Sequence, residues 1–191
     1  MEKIGIIDLG SNTARLVIVD MFTDGHYMVV DELKESVRLG QDMDRDGFLK
    51  PQRVAETIRT LKILKKLCDA SKVDRIIAVG TAAVRRAKNQ RSFLDEIQVS
   101  CNITIRVLSE EEEALLVYRG VINSMDIPKG LILEIGGGST KIVYYNRRNL
   151  LNYETLPFGA SNGTMRADDT FSTAPHSSTF IWAVMGARTE L

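Results

Sequence analysis

The run Lys3-Ile4-Gly5-Ile6-Ile7-Asp8-Leu9-Gly10-Ser11-Asn12-Thr13 begins as an isoleucine-rich, buried strand and stops at Gly10. The polar turn Gly10-Ser11-Asn12 leads into a second strand, from about Thr13 to Met21. Thr23-Asp24-Gly25 then turns the chain into a third, near Tyr27–Leu33. Three strands joined by short turns form an antiparallel meander. The same design returns at Leu131–Ile135, where Gly136-Gly137-Gly138-Ser139-Thr140 leads into strands at Lys141–Tyr145 and Leu150–Leu156. Strand, glycine turn and strand thus occur twice, at residues 4–18 and 131–145. That spacing predicts two related lobes and not a tandem repeat array.

Between the two copies the period changes. Pro51 suits the first turn of a helix, where its missing N–H would be unpaired anyway. Val54, Ile58, Leu61, Leu64, Leu67 and Cys68 then form one helical stripe. A strand at Arg75–Val79, a helix around Ser92–Val99, a strand at Ile103–Leu108 and a helix from Glu110 to about Asn123 follow. The last helix carries its stripe on Ala114, Val117, Tyr118, Val121 and Ile122, and Pro128-Lys129-Gly130 breaks the chain after it. The pattern predicts an α/β protein with a mixed sheet flanked by helices. Its first lobe spans 1–124, and 125–160 hold the first strands of an incomplete second lobe. Residues 161–191 contain nine Ser or Thr residues without a period of 2 or 3.6, and form an unplaced tail.

Bulk properties narrow the class. The 191 residues are 44% hydrophobic and 26% charged, enough apolar material for a core and too much for wholesale disorder. Lys+Arg and Asp+Glu balance at 25 each. The basic excess of nucleic-acid and membrane-surface binders is therefore missing, and neither partner is expected. Cys68 and Cys101 stand apart inside apolar segments, as buried thiols of a reducing compartment do. No apolar run approaches the roughly 18–20 residues that span a bilayer. The start Met1-Glu2-Lys3-Ile4 lacks the apolar region of a signal peptide, which points to the cytoplasm.

The chemistry concentrates at the two glycine turns. Successive N–H groups in a tight turn can cradle an anion, and a carboxylate at the preceding strand end can hold a cation beside it. Asp8 before Gly10-Ser11-Asn12 fits this, although the same tripeptide also makes an ordinary hairpin turn. Glu134 before Gly136-Gly137-Gly138-Ser139-Thr140 states it more forcefully, because three glycines cost backbone entropy that a plain turn does not need. Ser109-Glu110-Glu111-Glu112 reads as a capping box with acidic residues in the first helical turn, which leaves Glu113 without a structural task. Arg85-Arg86 also reads as a solvated helix end. Lys88, Arg91 and Lys141 read as solvated surface.

Taken in order, several blocks resemble the exopolyphosphatase / guanosine pentaphosphate phosphatase (Ppx/GppA) family. They are Asp8 to Asn12, Gly80-Thr81-Ala82-Ala83-Val84-Arg85, Asn89, Ser109 through Ala114, Gly136 to Thr140 and Leu156-Pro157-Phe158-Gly159-Ala160. The resemblance covers residues 4 to about 160. It implies a ribonuclease-H-like lobe of the actin–Hsp70–sugar-kinase type. It also implies a magnesium-dependent hydrolase that removes terminal phosphate from inorganic polyphosphate or guanosine pentaphosphate. In that reading Glu113 is the general base, Arg85 lies near the phosphates, and Asp8 and Glu134 flank Mg2+. The N–H groups around Gly10, Ser11 and Asn12, and around Gly136, Gly137, Gly138, Ser139 and Thr140, then hold the phosphate chain.

The chain departs from the family pattern in places. Glu134 replaces an aspartate, Glu110 a common glycine, and Lys141 a glutamate, so that a cation stands where a carboxylate is usual. The match is read as ending near Ala160, as a truncated product with a changed reading frame would end. An incomplete second lobe would expose core and favour a homo-oligomer. Two other functions fit the same turns. One is a non-catalytic phosphate or polyphosphate binder, and the other an actin-like nucleotide binder.

Overall fold

A computed structural model describes residues 1–159 and 181–183 of the chain. In its first strand, β1 (Glu2–Leu9), Gly5, Ile7 and Leu9 are buried while Ile6 and Asp8 between them are exposed. That alternation gives the strand a core face and an open face. β2 (Thr13–Met21) and β3 (Tyr27–Ser36) continue from it as the predicted antiparallel meander. β4 (Arg75–Gly80) adds in parallel to the other side of β1, and β5 (Ile105–Val107) in parallel to β4. The sheet is mixed, in the order β3-β2-β1-β4-β5.

Three helices accompany it: α1 (Pro51–Ala70), α2 (Ala82–Arg86) and α3 (Gln90–Cys101). Of the α1 stripe, Val54, Ile58, Leu61, Leu64 and Cys68 are buried and Leu67 is half-buried against the same core, and α3 contributes Phe93, Ile97 and Cys101. These join Ile7, Leu9, Leu16 and Ile18 in one core. Both cysteines are free, and burial pushes their thiols above the usual range. α2 and a 3-10 turn at Met43–Arg45 are five and three residues long, too short to leave a readable period.

The second part holds α4 (Glu110–Ser124), β6 (Lys129–Ile135), β7 (Thr140–Asn146) and β8 (Asn149–Leu156). β6, β7 and β8 are another antiparallel meander. A last strand, β9 (Ile181–Ala183), pairs in parallel with β6. The order β8-β7-β6-β9 therefore repeats β3-β2-β1-β4. Even the irregularities correspond. The register slips between Ile18 and Val19 in β2 and between Tyr144 and Tyr145 in β7, at matching positions after Gly10 and Gly136. β9 lies within the tail read as unplaced; the rest of that tail, and Ala160, lie outside the described residues.

The chain divides into two units, Met1–Leu108 and Ser109–Leu191. The boundary falls before α4 and not at 124, because Ala114 and Tyr118 of α4 pack with Ile132, Val143 and Tyr145 of the second sheet. The Tyr118 and Tyr145 rings meet at 5.9 Å, and the Tyr118 hydroxyl donates to the Arg148 carbonyl. Among the described residues no helix is long and apolar enough to cross a membrane.

Candidate functional site

Each unit carries its own glycine turn, built alike. In the first, the Gly10 N–H donates to the Thr13 carbonyl at 2.9 Å; in the second, the Gly136 N–H donates to the Ser139 carbonyl at 2.9 Å. A Cβ on Gly10 would lie 3.3 Å from that Thr13 oxygen, and one on Gly136 3.1 Å from the Ser139 oxygen. The shared hydrogen bond draws the backbone so close that a side chain would crowd it, which is why glycine opens both turns.

In the first unit the turn is fixed from outside. Val37 and Arg38 N–H groups both donate to the Asn12 carbonyl and the Gly40 N–H donates to the Ser11 carbonyl, at 2.8–2.9 Å. These bonds use the carbonyls of Ser11 and Asn12 and leave their N–H groups unused among the described residues. The Ser11 hydroxyl is buried and has no hydrogen-bond partner among those residues. A buried orphan hydroxyl costs free energy unless something meets it, and an anion oxygen would. Asp8 is exposed at the strand end, between Arg15 of β2 and Val79 of β4 in the register. Arg85 is half-buried and donates from Nη1 to the Leu108 carbonyl at 2.9 Å, whereas Arg86 is exposed. Of the two, only Arg86 keeps the exposure expected of a helix end.

In the second unit α4 starts with the predicted capping box. The Ser109 N–H donates to Glu112 Oε2 at 2.9 Å, and the Glu112 N–H donates to Ser109 Oγ at 3.0 Å. Glu113 takes no part in the box. Its Oε1 lies 2.7 Å from Lys141 Nζ, and the same nitrogen lies 2.8 Å from Glu134 Oε2 and 3.5 Å from Ser139 Oγ. The strand register makes this arrangement, since Glu134 of β6 is paired directly with Lys141 of β7. The Lys141 side chain is only 1% exposed, against 13% for Glu113 and 30% for Glu134. Lys141 is therefore buried at the site, not solvated surface. Burial works against its charge, yet the Glu134 and Glu113 carboxylates outweigh that and hold its pKa above the usual lysine value. Lys88 and Arg91 are exposed, as read from the sequence.

The structure thus gathers Glu113, Glu134 and the turn Gly136–Thr140 around Lys141, a residue whose charge alone marks it as solvated surface. The segment after β8 braces the same turn. The Thr140 hydroxyl donates to the Phe158 carbonyl at 2.9 Å. A Cβ on Gly159 would overlap the Gly136 carbonyl oxygen and lie 2.8 Å from Gly137 backbone atoms. Gly159 thus lies too close to the turn for a side chain, a packing reason its place in the Leu156–Ala160 block does not reveal.

The expected Mg2+ finds a poor fit at Glu134. Among the described residues no group of three or more His, Cys, Asp or Glu side chains is gathered to hold a metal ion. Of the two Glu134 carboxylate oxygens, Oε2 accepts a hydrogen bond from the buried Lys141 ammonium. A divalent ion shared by Glu134 and Glu113 would sit against that ammonium and be repelled by it, so these two do not suit one; Asp8, the other carboxylate expected to flank Mg2+, belongs to the first unit.

The Ppx/GppA phosphatase family model matches residues 18–178, past Ala160, where the sequence reading ends the resemblance. A bifunctional 3-dehydroquinate synthase/phosphatase of Fusobacterium nucleatum is 29% identical over 163 residues, covering 81% of this chain and 24% of that protein. A Haemophilus influenzae protein named as an exopolyphosphatase is 27% identical over 144 residues, covering 75% of this chain and 44% of its own length. The crystal structure of an exopolyphosphatase from Cytophaga hutchinsonii superposes with a TM-score of 0.79 at 31% identity, over 84% of this chain and 52% of that one. The chain spans less than half of the two curated relatives and about half of the solved structure. The fold is of the actin–Hsp70–sugar-kinase type.

Proposed function

The chain belongs to the Ppx/GppA phosphatase family, and from that premise we propose that it forms part of a phosphohydrolase acting on the terminal phosphate of inorganic polyphosphate or guanosine pentaphosphate. One observation carries the reading: two glycine turns with the same internal hydrogen bond, one beside an orphan buried hydroxyl and the other beside a helix-borne carboxylate. Phosphoryl transfer asks an enzyme mainly for positioning and for positive charge near the phosphate oxygens. The turn amides of Ser11 and Asn12 and the Gly136–Ser139 turn supply positioning. Glu113 accepts the proton of the attacking water, and Arg85 contributes a planar donor fork to the phosphate chain.

One contact favours a second reading. Glu113 Oε1 is committed to Lys141 at 2.7 Å, so that oxygen takes a proton only after the ion pair opens. A chain in which the pair also keeps Glu113 from the attacking water would bind polyphosphate through its turns without cleaving it. The purified 191-residue chain and its Glu113→Gln variant, assayed for phosphate release from long-chain polyphosphate with and without magnesium, separate the two. Release that disappears in the variant supports the hydrolase. Undiminished release by Glu113→Gln removes Glu113 from the chemistry. Polyphosphate binding by calorimetry with no release from either protein supports the binder.

A further inference from the structure

The cation that neutralises the second unit's carboxylates is already part of the chain. Strand pairing sets Lys141 opposite Glu134, α4 brings Glu113 to the same nitrogen, and Ser139 presents a third oxygen at 3.5 Å. At 2.7 and 2.8 Å both carboxylates are at hydrogen-bond distance from one ammonium. We infer that Lys141 is the resident cation of the Glu113–Glu134 pair, filling the place of a divalent metal ion, so that these carboxylates take no such ion while the lysine is present.

The alternatives are costlier. A magnesium ion between the carboxylates would need oxygen ligands at about 2.0–2.1 Å in near-octahedral array, and would sit against the ammonium that now binds the same oxygens. Moving the lysine aside would carry a charge away from both of its counterions, from a position where its side chain is 1% exposed. Keeping it leaves one positive charge between two negative ones, each within hydrogen-bond reach. Removing the ammonium would leave two carboxylates facing each other across a gap sized for a cation, and that is a divalent site in the making.

The inference rests on contacts inside the second unit and not on the phosphohydrolase reading. Its readout is metal binding, so its failure and the failure of that reading are distinct. Manganese is the probe, titrated into the full chain and followed by electron paramagnetic resonance of the free ion. Wild type and Glu134→Gln are expected to give the same titration. Lys141→Gln is expected to gain one manganese ion that wild type does not hold, with the gain abolished when Glu134→Gln is added. A manganese ion held by wild type and lost in Glu134→Gln overturns the inference. So does a Lys141→Gln chain that is folded by circular dichroism and gains no ion. If Lys141→Gln does not fold, the comparison of wild type with Glu134→Gln decides alone: equal titrations sustain the inference and a loss overturns it.

Discussion

Lys141 is buried because of parity along β7. It shares a face with Val143 and Tyr145, both buried, while Tyr144 between them is exposed. Burying an ammonium is tolerable here only because two carboxylates meet it. A buried pair gives little net stability over an apolar substitute, but removing one partner strands the other charges. Lys141→Met is accordingly expected to lower the unfolding free energy by about 3–5 kcal/mol. Adding Glu113→Gln and Glu134→Gln to it should recover a large part, because the stranded charges go with the lysine. Urea unfolding of the single and triple variants measures both, and a triple variant no more stable than Lys141→Met would refute the account. Half of this was legible in the sequence: Glu134 and Lys141 stand opposite across any hairpin turning at Gly136–Ser139. The burial was not, because Ile142 and Tyr144 on the other parity are as apolar as Val143 and Tyr145. In the same way Arg85 and Arg86 read alike as charge, and only the packing of α2 sends one guanidinium to the Leu108 carbonyl.

The elements that announced themselves are those with long, regular patterns. α1 begins at the proline and buries the stripe that its spacing gives, and the meander of β1, β2 and β3 follows its turn residues. β9 did not announce itself, since a three-residue strand pairing with β6 across a wide sequence gap has no local pattern to read. How closely α1 approaches β1 was also hidden, although Gly5 marks the place. A Cβ there would lie 2.9 Å from Cys68 Sγ and 3.4 Å from Val73 Cγ1. Both neighbours stand in or against a close-packed core, so neither yields freely. Gly5→Ala should therefore cost about 1–3 kcal/mol by overpacking. Cys68→Ala vacates the space the new methyl needs, so the double variant should be more stable than the sum of the two single losses implies. Thermal or urea unfolding of the four proteins closes the cycle. Strict additivity would mean that α1 does not bear on β1 at this point.

At the scale of the molecule, the two units share a strand order, while among the described residues their buried clusters differ in size. The unit Met1–Leu108 buries residues of four of its five strands and all three helices in one cluster, from Ile7 and Leu16 to Leu61, Phe93 and Ile105. The second cluster comprises, among the described residues, Ala114, Tyr118, Ile132, Val143 and Tyr145, with half-buried neighbours such as Leu115 and Tyr153. The sequence showed both lobes through their glycine turns, yet it assigned α4 to the wrong side of the boundary, because an amphipathic stripe says that a helix packs and not upon which sheet. Fold and size together now set an expectation. Net stability is a small remainder after conformational entropy is met, and it grows with the fraction of surface buried. The fragment 1–108 should fold alone and unfold in one cooperative transition, because its sheet, helices and core are complete within it. The fragment 109–191 should show no cooperative transition of its own, since so few side chains secure its described sheet. Circular dichroism melts of the two fragments beside the full chain test this directly. A sharp, independent transition from 109–191 would mean that its core is larger than the residues around Tyr118 and Tyr145, and that the second glycine turn with Lys141 is held by a unit as self-sufficient as the first.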